Sequence, residues 1–121
     1  MSSSGRRAAL RLAALLTTTG TAHFAIPKPF DAIVPAVLPG SARFWTYASG
    51  AVELGLAGLL AVPRTRRLGG TLAAAFFVAV FPGNLEAVRV LGHSPALRAV
   101  AIARLPLQVP LVTQALAARE G

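Results

Sequence analysis

The stretch LGGTLAAAFFVAVF, Leu68 to Phe81, contains no charged side chain, and none follows until Glu86. A water-facing helix of this length needs a polar stripe at helical spacing, and this one has none. Continued through Pro82 and Gly83 to Leu91, it reaches about 36 Å at 1.5 Å per residue, enough to cross a hydrocarbon layer of about 30 Å. Pro63 and the cations Arg64, Arg66 and Arg67 stand immediately before it, as punctuation between two apolar runs.

Working outward, three more segments have the same character. The first runs from Ala8 to Ile26 and stops at Pro27 and Pro29; the second covers about residues 45–62; the last runs from Ala96 to Ala118. With the third at about 68–91, the sequence predicts an all-α chain: one integral membrane four-helix bundle over residues 1–121, its third and fourth helices kinked by Pro82, Pro106 and Pro110. The segment from Pro27 to Phe44 holds four prolines and Gly40, too many for a continuous helix, and reads as a long connecting loop. Trp45 and Tyr47 follow it, where interfacial aromatics mark the start of a span. The first segment also has the outline of a cleaved signal peptide, a reading weakened by Thr17, Thr18 and Thr19 inside its apolar core.

Composition points the same way. Hydrophobic residues make up 55% and charged residues 13% of 121 residues, about half the charged share of a soluble domain. The net charge of +8 would mark a phosphate-binding surface on a soluble fold, but the arginines lie in short clusters between apolar runs, which argues for lipid headgroups and against nucleic acid. Placing the N-terminus inside puts Arg6, Arg7, Arg11, Arg64, Arg66, Arg67 and Arg119 on the inner side and Lys28, Arg43, Arg89 and Arg98 on the outer. The imbalance predicts a multi-pass protein of the plasma membrane with both termini cytoplasmic. There is no cysteine, so thiol redox chemistry is excluded, and with two histidines no metal-ligand set is expected.

The informative residues are then the polar ones inside the spans: His23, Glu53, Asn84, Arg104 and Gln108. Glu53 lies eight residues after Trp45 and Arg104 eight after Ala96, about 12 Å in from the same boundary. An unpaired charge there costs about 2.5–3.5 kcal/mol on insertion scales, so a Glu53 to Arg104 ion pair is expected. Gln108 shares the face of Arg104, and His23 and Asn84 come from helix ends at similar depth, giving one polar cluster in the outer half. Such a cluster serves equally as packing glue that fixes helix register. Glu86 and Arg89 read as a solvated pair three residues apart, and small pairs at Ala51 and Gly55, Gly69 and Ala73, and Gly70 and Ala74 favour close helix approach.

Four motifs in order carry a resemblance: Gly20-Thr-Ala-His-Phe24 with Pro27 and Phe30, Ser49-Gly-Ala-Val-Glu-Leu54, Phe81-Pro-Gly-Asn-Leu85 and Arg104-Leu-Pro-Leu-Gln108. The chain resembles the small DoxX-like membrane proteins of bacteria from about Leu12 to Leu116. The resemblance implies a four-helix membrane bundle related to the DoxD-type subunit of thiosulfate:quinone oxidoreductase, with His23, Glu53, Asn84, Arg104 and Gln108 at the family's motif positions. It further implies an outward-facing pocket for a quinone or lipid-like ligand, beside a redox-enzyme partner or within a homo-oligomer. Two alternatives stand beside it: a non-catalytic assembly subunit, and a small transporter protomer using Glu53 as a proton site.

Overall fold

The computed structural model describes residues 3–91 and 94–121; within these, the surroundings of Gly83 and the side chains of Val90, Leu91, Leu97, Val100 and Arg104 lie outside the description. Every regular element among the described residues is helical. The order is α1 (Ser3–Ala25), a one-turn α2 (Lys28–Asp31), α3 (Ala42–Ala61), α4 (Arg66–Ala79), α5 (Phe81–Leu91) and α6 (Pro95–Ala118), with a short 3-10 turn, Pro63–Thr65, between α3 and α4.

Alanine and leucine, strong helix formers, dominate α1, and it ends where Pro27 forbids continuation. Two of its three consecutive threonines satisfy themselves. Thr17 Oγ1 donates to the Ala13 carbonyl at 2.7 Å and Thr18 Oγ1 to that of Ala14 at 2.9 Å, so hydroxyls in an apolar helix present only their methyls outward. The start of α3 falls at Ala42, three residues before Trp45, because Ser41 caps it: its hydroxyl accepts from the Phe44 N–H at 3.1 Å. Gly40, at φ +85°, makes the left-handed turn that delivers the chain to this cap.

The third apolar segment is two helices rather than one. α4 ends at Ala79, Val80 caps it, and α5 starts at Phe81, so Pro82 falls in the first turn of a new helix, where its missing N–H costs nothing. By contrast α6 continues through both Pro106 and Pro110.

α1 packs along α3, α3 against α4, and α6 against α1, α4 and α5. The core they share is built from Leu12 and Leu16 of α1, Leu56 and Leu60 of α3, Ala73 and Phe77 of α4, and Ala115 of α6. Each of α1, α3 and α4 brings both large and small side chains to it, and α6 brings alanines. Close approach is concentrated at glycines. A methyl on Gly70 would sit 2.6 Å from the Ala115 carbonyl oxygen, and one on Gly50 would sit 2.7 Å from His23 Cβ. Of the small pairs expected to promote packing, Gly69, Gly70, Ala73 and Ala74 are buried, whereas Ala51 and Gly55 are exposed; Gly20 and Gly50 take their place between α1 and α3.

One end of the molecule gathers the start of α1, the α3 to α4 turn and the end of α6, with Gly121 against the backbone of Gly5 and Arg6, and Gly70 against Arg119. Arg66, expected as one of several surface cations, is instead only 3% exposed. Its Nε donates to the Leu60 carbonyl at 2.7 Å and one terminal nitrogen to that of Ala61 at 3.0 Å, satisfying the orphan carbonyls at the end of α3.

Gly70→Ala must displace backbone and is expected to lower stability by about 1–3 kcal/mol. Gly55, whose added Cβ would meet nothing within 4 Å, is the control. Gly55→Ala should be neutral or stabilising by up to about 1 kcal/mol through helix propensity. Thermal unfolding of the two purified variants checks the contrast.

Candidate functional site

Glu53 is a buried carboxylate held by partners from α1. With α3 starting at Ala42, it lies about 16 Å along the helix and so near its midpoint. It is 9% exposed. Thr19 Oγ1, the third of the α1 threonines, donates to its Oε2 at 2.9 Å. His23 Nδ1 stands 3.5 Å from the same oxygen and 2.6 Å from the Thr19 carbonyl. A carbonyl only accepts, so Nδ1 carries the proton and the imidazole is fixed in that tautomer.

Thr19, His23 and Glu53 thus form a three-residue polar seam between α1 and α3. Thr19 was legible: it precedes His23 by four residues and so shares its face, but in the sequence the threonine run reads only as an interruption. The Arg104 side chain lies outside the described residues, and with it the expected ion pair; the described partners of Glu53 are Thr19 and His23.

On its far side Glu53 faces a half-open cavity of about 540 Å³. The wall is contributed by α1 (Leu15, Leu16, Thr19), α4 and its cap (Phe76, Phe77, Val80), Asn84 of α5, and α6 (Leu107, Gln108, Pro110, Leu111, Gln114). Glu53, Asn84 and Gln108 therefore converge on one space, while His23 backs Glu53 from behind and does not line it. An apolar wall with a few convergent polar groups, in the size range of roughly 300–1,000 Å³, is the usual form of a small-molecule site.

The helix break explains Gln108. The interruption at Val80 to Pro82 leaves carbonyls at the end of α4 to be served from elsewhere, and Gln108 Nε2 donates to that of Phe77 at 2.5 Å. The residue so served lies one position before Val78, the carbonyl that Pro82 alone would free. Its amide thus joins α6 to the α4 terminus at the cavity wall.

The connecting loop closes over His23. Phe30 of α2 stacks on the imidazole, ring centres 3.9 Å apart and planes 20° off parallel. The loop is pinned by Asp31, whose carboxylate accepts from Thr46 Oγ1 at 2.5 Å and from Arg43 Nε at 2.9 Å, and by Trp45, whose Nε1 donates to the Pro39 carbonyl at 2.6 Å. None of these loop anchors is visible in the sequence as a pair. The Thr46 hydrogen bond, then Arg43, holds the Asp31 carboxyl below its ordinary value, and Asp31 in turn holds the Arg43 guanidinium above its own. Glu86 and Arg89 form a hydrogen-bonded ion pair with the arginine in the open. Among the described residues no group of three His, Asp or Glu could hold a metal ion.

Two outcomes follow. Because Asp31 has a depressed folded-state value, its contribution is complete above the unfolded carboxyl value near 3.9 and disappears as pH falls below it. The emission of Trp45, the chain's single tryptophan, should therefore shift on acidification below about pH 4, and Asp31→Asn should show the acid-form spectrum at neutral pH. Gln108→Leu leaves the Phe77 carbonyl unserved and should cost about 1–3 kcal/mol of stability, read as a lowered thermal midpoint of the purified variant.

No curated protein and no solved structure matches the chain. Its sequence does match a family model over residues 12–119, nearly its whole length. The chain belongs to the family described as a domain of unknown function, DUF8561.

Proposed function

We propose that this chain is a multi-pass protein of the plasma membrane, a four-helix bundle whose α4 and α5 together form the third arm, and that its cavity binds a small amphipathic ligand. The observation that carries the membrane placement is the surface of the longest apolar segments. Residues 63–89 and 101–118 are long and apolar enough to cross a bilayer, yet only 35% and 18% of their spans is buried inside the molecule. A core helix of a soluble protein passes the same length test only by being mostly buried, and a signal sequence would lie at the N-terminus. Leu72, Val78, Ile102, Leu107 and Val109 are exposed instead, and lipid is the solvent that suits them.

Orientation rests on charge. The end that gathers both termini and the α3 to α4 turn carries seven arginines against Glu120, and the opposite end carries Lys28, Arg43, Arg89 and Arg98 with the acids Asp31 and Glu86. The arginine-rich end is assigned to the cytoplasm and the Pro27 to Phe44 loop to the outside.

The ligand reading rests on the cavity: apolar walls from α1, α4 and α6 around Glu53, Asn84 and Gln108, which suits a flat or chain-like body with one polar end. The DoxX-like resemblance favours a quinone or lipid-like molecule in a redox-linked complex. A non-catalytic assembly role is the second reading, favoured by the Gln108 to Phe77 bond, which fixes two helices in register.

The test is purification in mild detergent followed by mass spectrometry of the extracted small molecules. An isoprenoid quinone or a single lipid species should be retained by the wild type and reduced about tenfold or more by Leu111→Trp, which fills the cavity from its wall, with the Tm held. Retention that ignores the filled cavity would support the assembly reading. A cysteine at Ser41 that reacts with an impermeant reagent from the cytoplasmic side alone would invert the topology.

A further inference from the structure

A second recess lies on the opposite side of the α1 and α3 pair. It is a shallow groove of about 690 Å³ lined by Ala13, Ala14 and Thr17 of α1 and by Leu54, Ala57, Gly58 and Ala61 of α3. Its wall is mostly apolar, with the Thr17 hydroxyl turned to the Ala13 carbonyl. The groove shares no residue with the cavity beside Glu53.

The groove runs toward the arginine-rich end. Arg6 precedes Ala13 by seven residues, about two helical turns on the same face, and it is exposed. Arg64, also exposed, stands three residues beyond Ala61 in the turn that follows α3. Neither has an acidic partner among the described residues. The acids of the opposite end, by contrast, are matched, Asp31 with Arg43 and Glu86 with Arg89. An apolar channel between two helices therefore opens toward two exposed arginines that form no ion pair among the described residues, at an end where cations outnumber the acid Glu120.

We infer that this groove holds one acyl chain of an anionic phospholipid, with its phosphate at Arg6 and Arg64. The inference rests on the membrane placement above but not on the cavity ligand. The occupant is a lipid rather than another helix because the rim supplies charge complementary to a phosphodiester, and a second copy of this chain would bring the same arginines against it. A zwitterionic lipid would bring its own cation to the rim and gain less.

Gly58 makes the test clean. A Cβ added there meets nothing within 4 Å, so the side chain of Gly58→Leu starts from open space in the groove wall. The protein is placed in nanodiscs of equal parts phosphatidylglycerol and phosphatidylcholine, and lipid that survives transfer to native mass spectrometry is counted. Phosphatidylglycerol should be retained at least severalfold over phosphatidylcholine. Arg6→Gln with Arg64→Gln should lower that retention about tenfold, since each cation in the headgroup layer contributes severalfold. Gly58→Leu should lower it comparably with the Tm unchanged or raised. Equal retention of the two lipids, or retention that survives either substitution, overturns the assignment. A wild-type chain that does not enter nanodiscs at all overturns the membrane placement and this site together.

Discussion

A single carboxylate sets the terms for the rest of the molecule. Glu53 sits at the middle of α3 among mostly apolar side chains, and burying it unaided costs several kcal/mol. Two groups from α1 attend it, the Thr19 hydroxyl as hydrogen-bond donor and the His23 imidazole beside it at 3.5 Å. They reach it only because Gly20 and Gly50 let the two backbones approach until added methyls would collide. The polar seam therefore dictates the small residues, the small residues dictate how α1 lies on α3, and that pairing leaves the opposite side of Glu53 facing the cavity.

The same logic of satisfying every polar group governs the helix ends. Arg66 closes α3 by serving two carbonyls from the next element, and Gln108 serves a carbonyl where α4 stops. In water these groups would be solvated; in an apolar setting they require a donor from elsewhere in the chain. Side chains that look like surface charge or helix glue in the sequence prove to complete backbone hydrogen bonding. The loop between α1 and α3 follows a related rule: its own backbone bonds close only short turns, and Asp31 and Trp45 tie it to α3.

Much of this was legible in the residues and some was not. The stop of α1 before Pro27, the pause at Pro63 and the long last helix follow from local chemistry that no tertiary contact overrides. That Glu53, Asn84 and Gln108 face one space follows from their rarity in an apolar chain, since rare polar groups seek each other. What stayed hidden depends on pairings between distant positions. Thr19 differs from Thr17 and Thr18 only because Glu53 lies opposite it. Arg66 differs from Arg64 and Arg67 only because it folds back on the end of α3. The division at Val80 could be read from Pro82 as a kink, but whether a proline bends a helix or starts a new one is decided by what serves the freed carbonyls; in α6 Pro106 and Pro110 interrupt nothing.

The seam between α1 and α3 also bears on how the protein is made. Each of these helices carries its polar groups on the side turned to the other, so each alone would present bare hydroxyl, imidazole or carboxylate to acyl chains. Joined by residues 26–41, they form a hairpin in which those groups serve one another, leaving Thr19 and Glu53 open only toward the cavity that the later helices wall. On the membrane reading, the translocation machinery would release them into the bilayer as a pair, after the ribosome has made residue 61 and not before. The later segments, apolar enough to partition singly, would then dock onto a hairpin already in place.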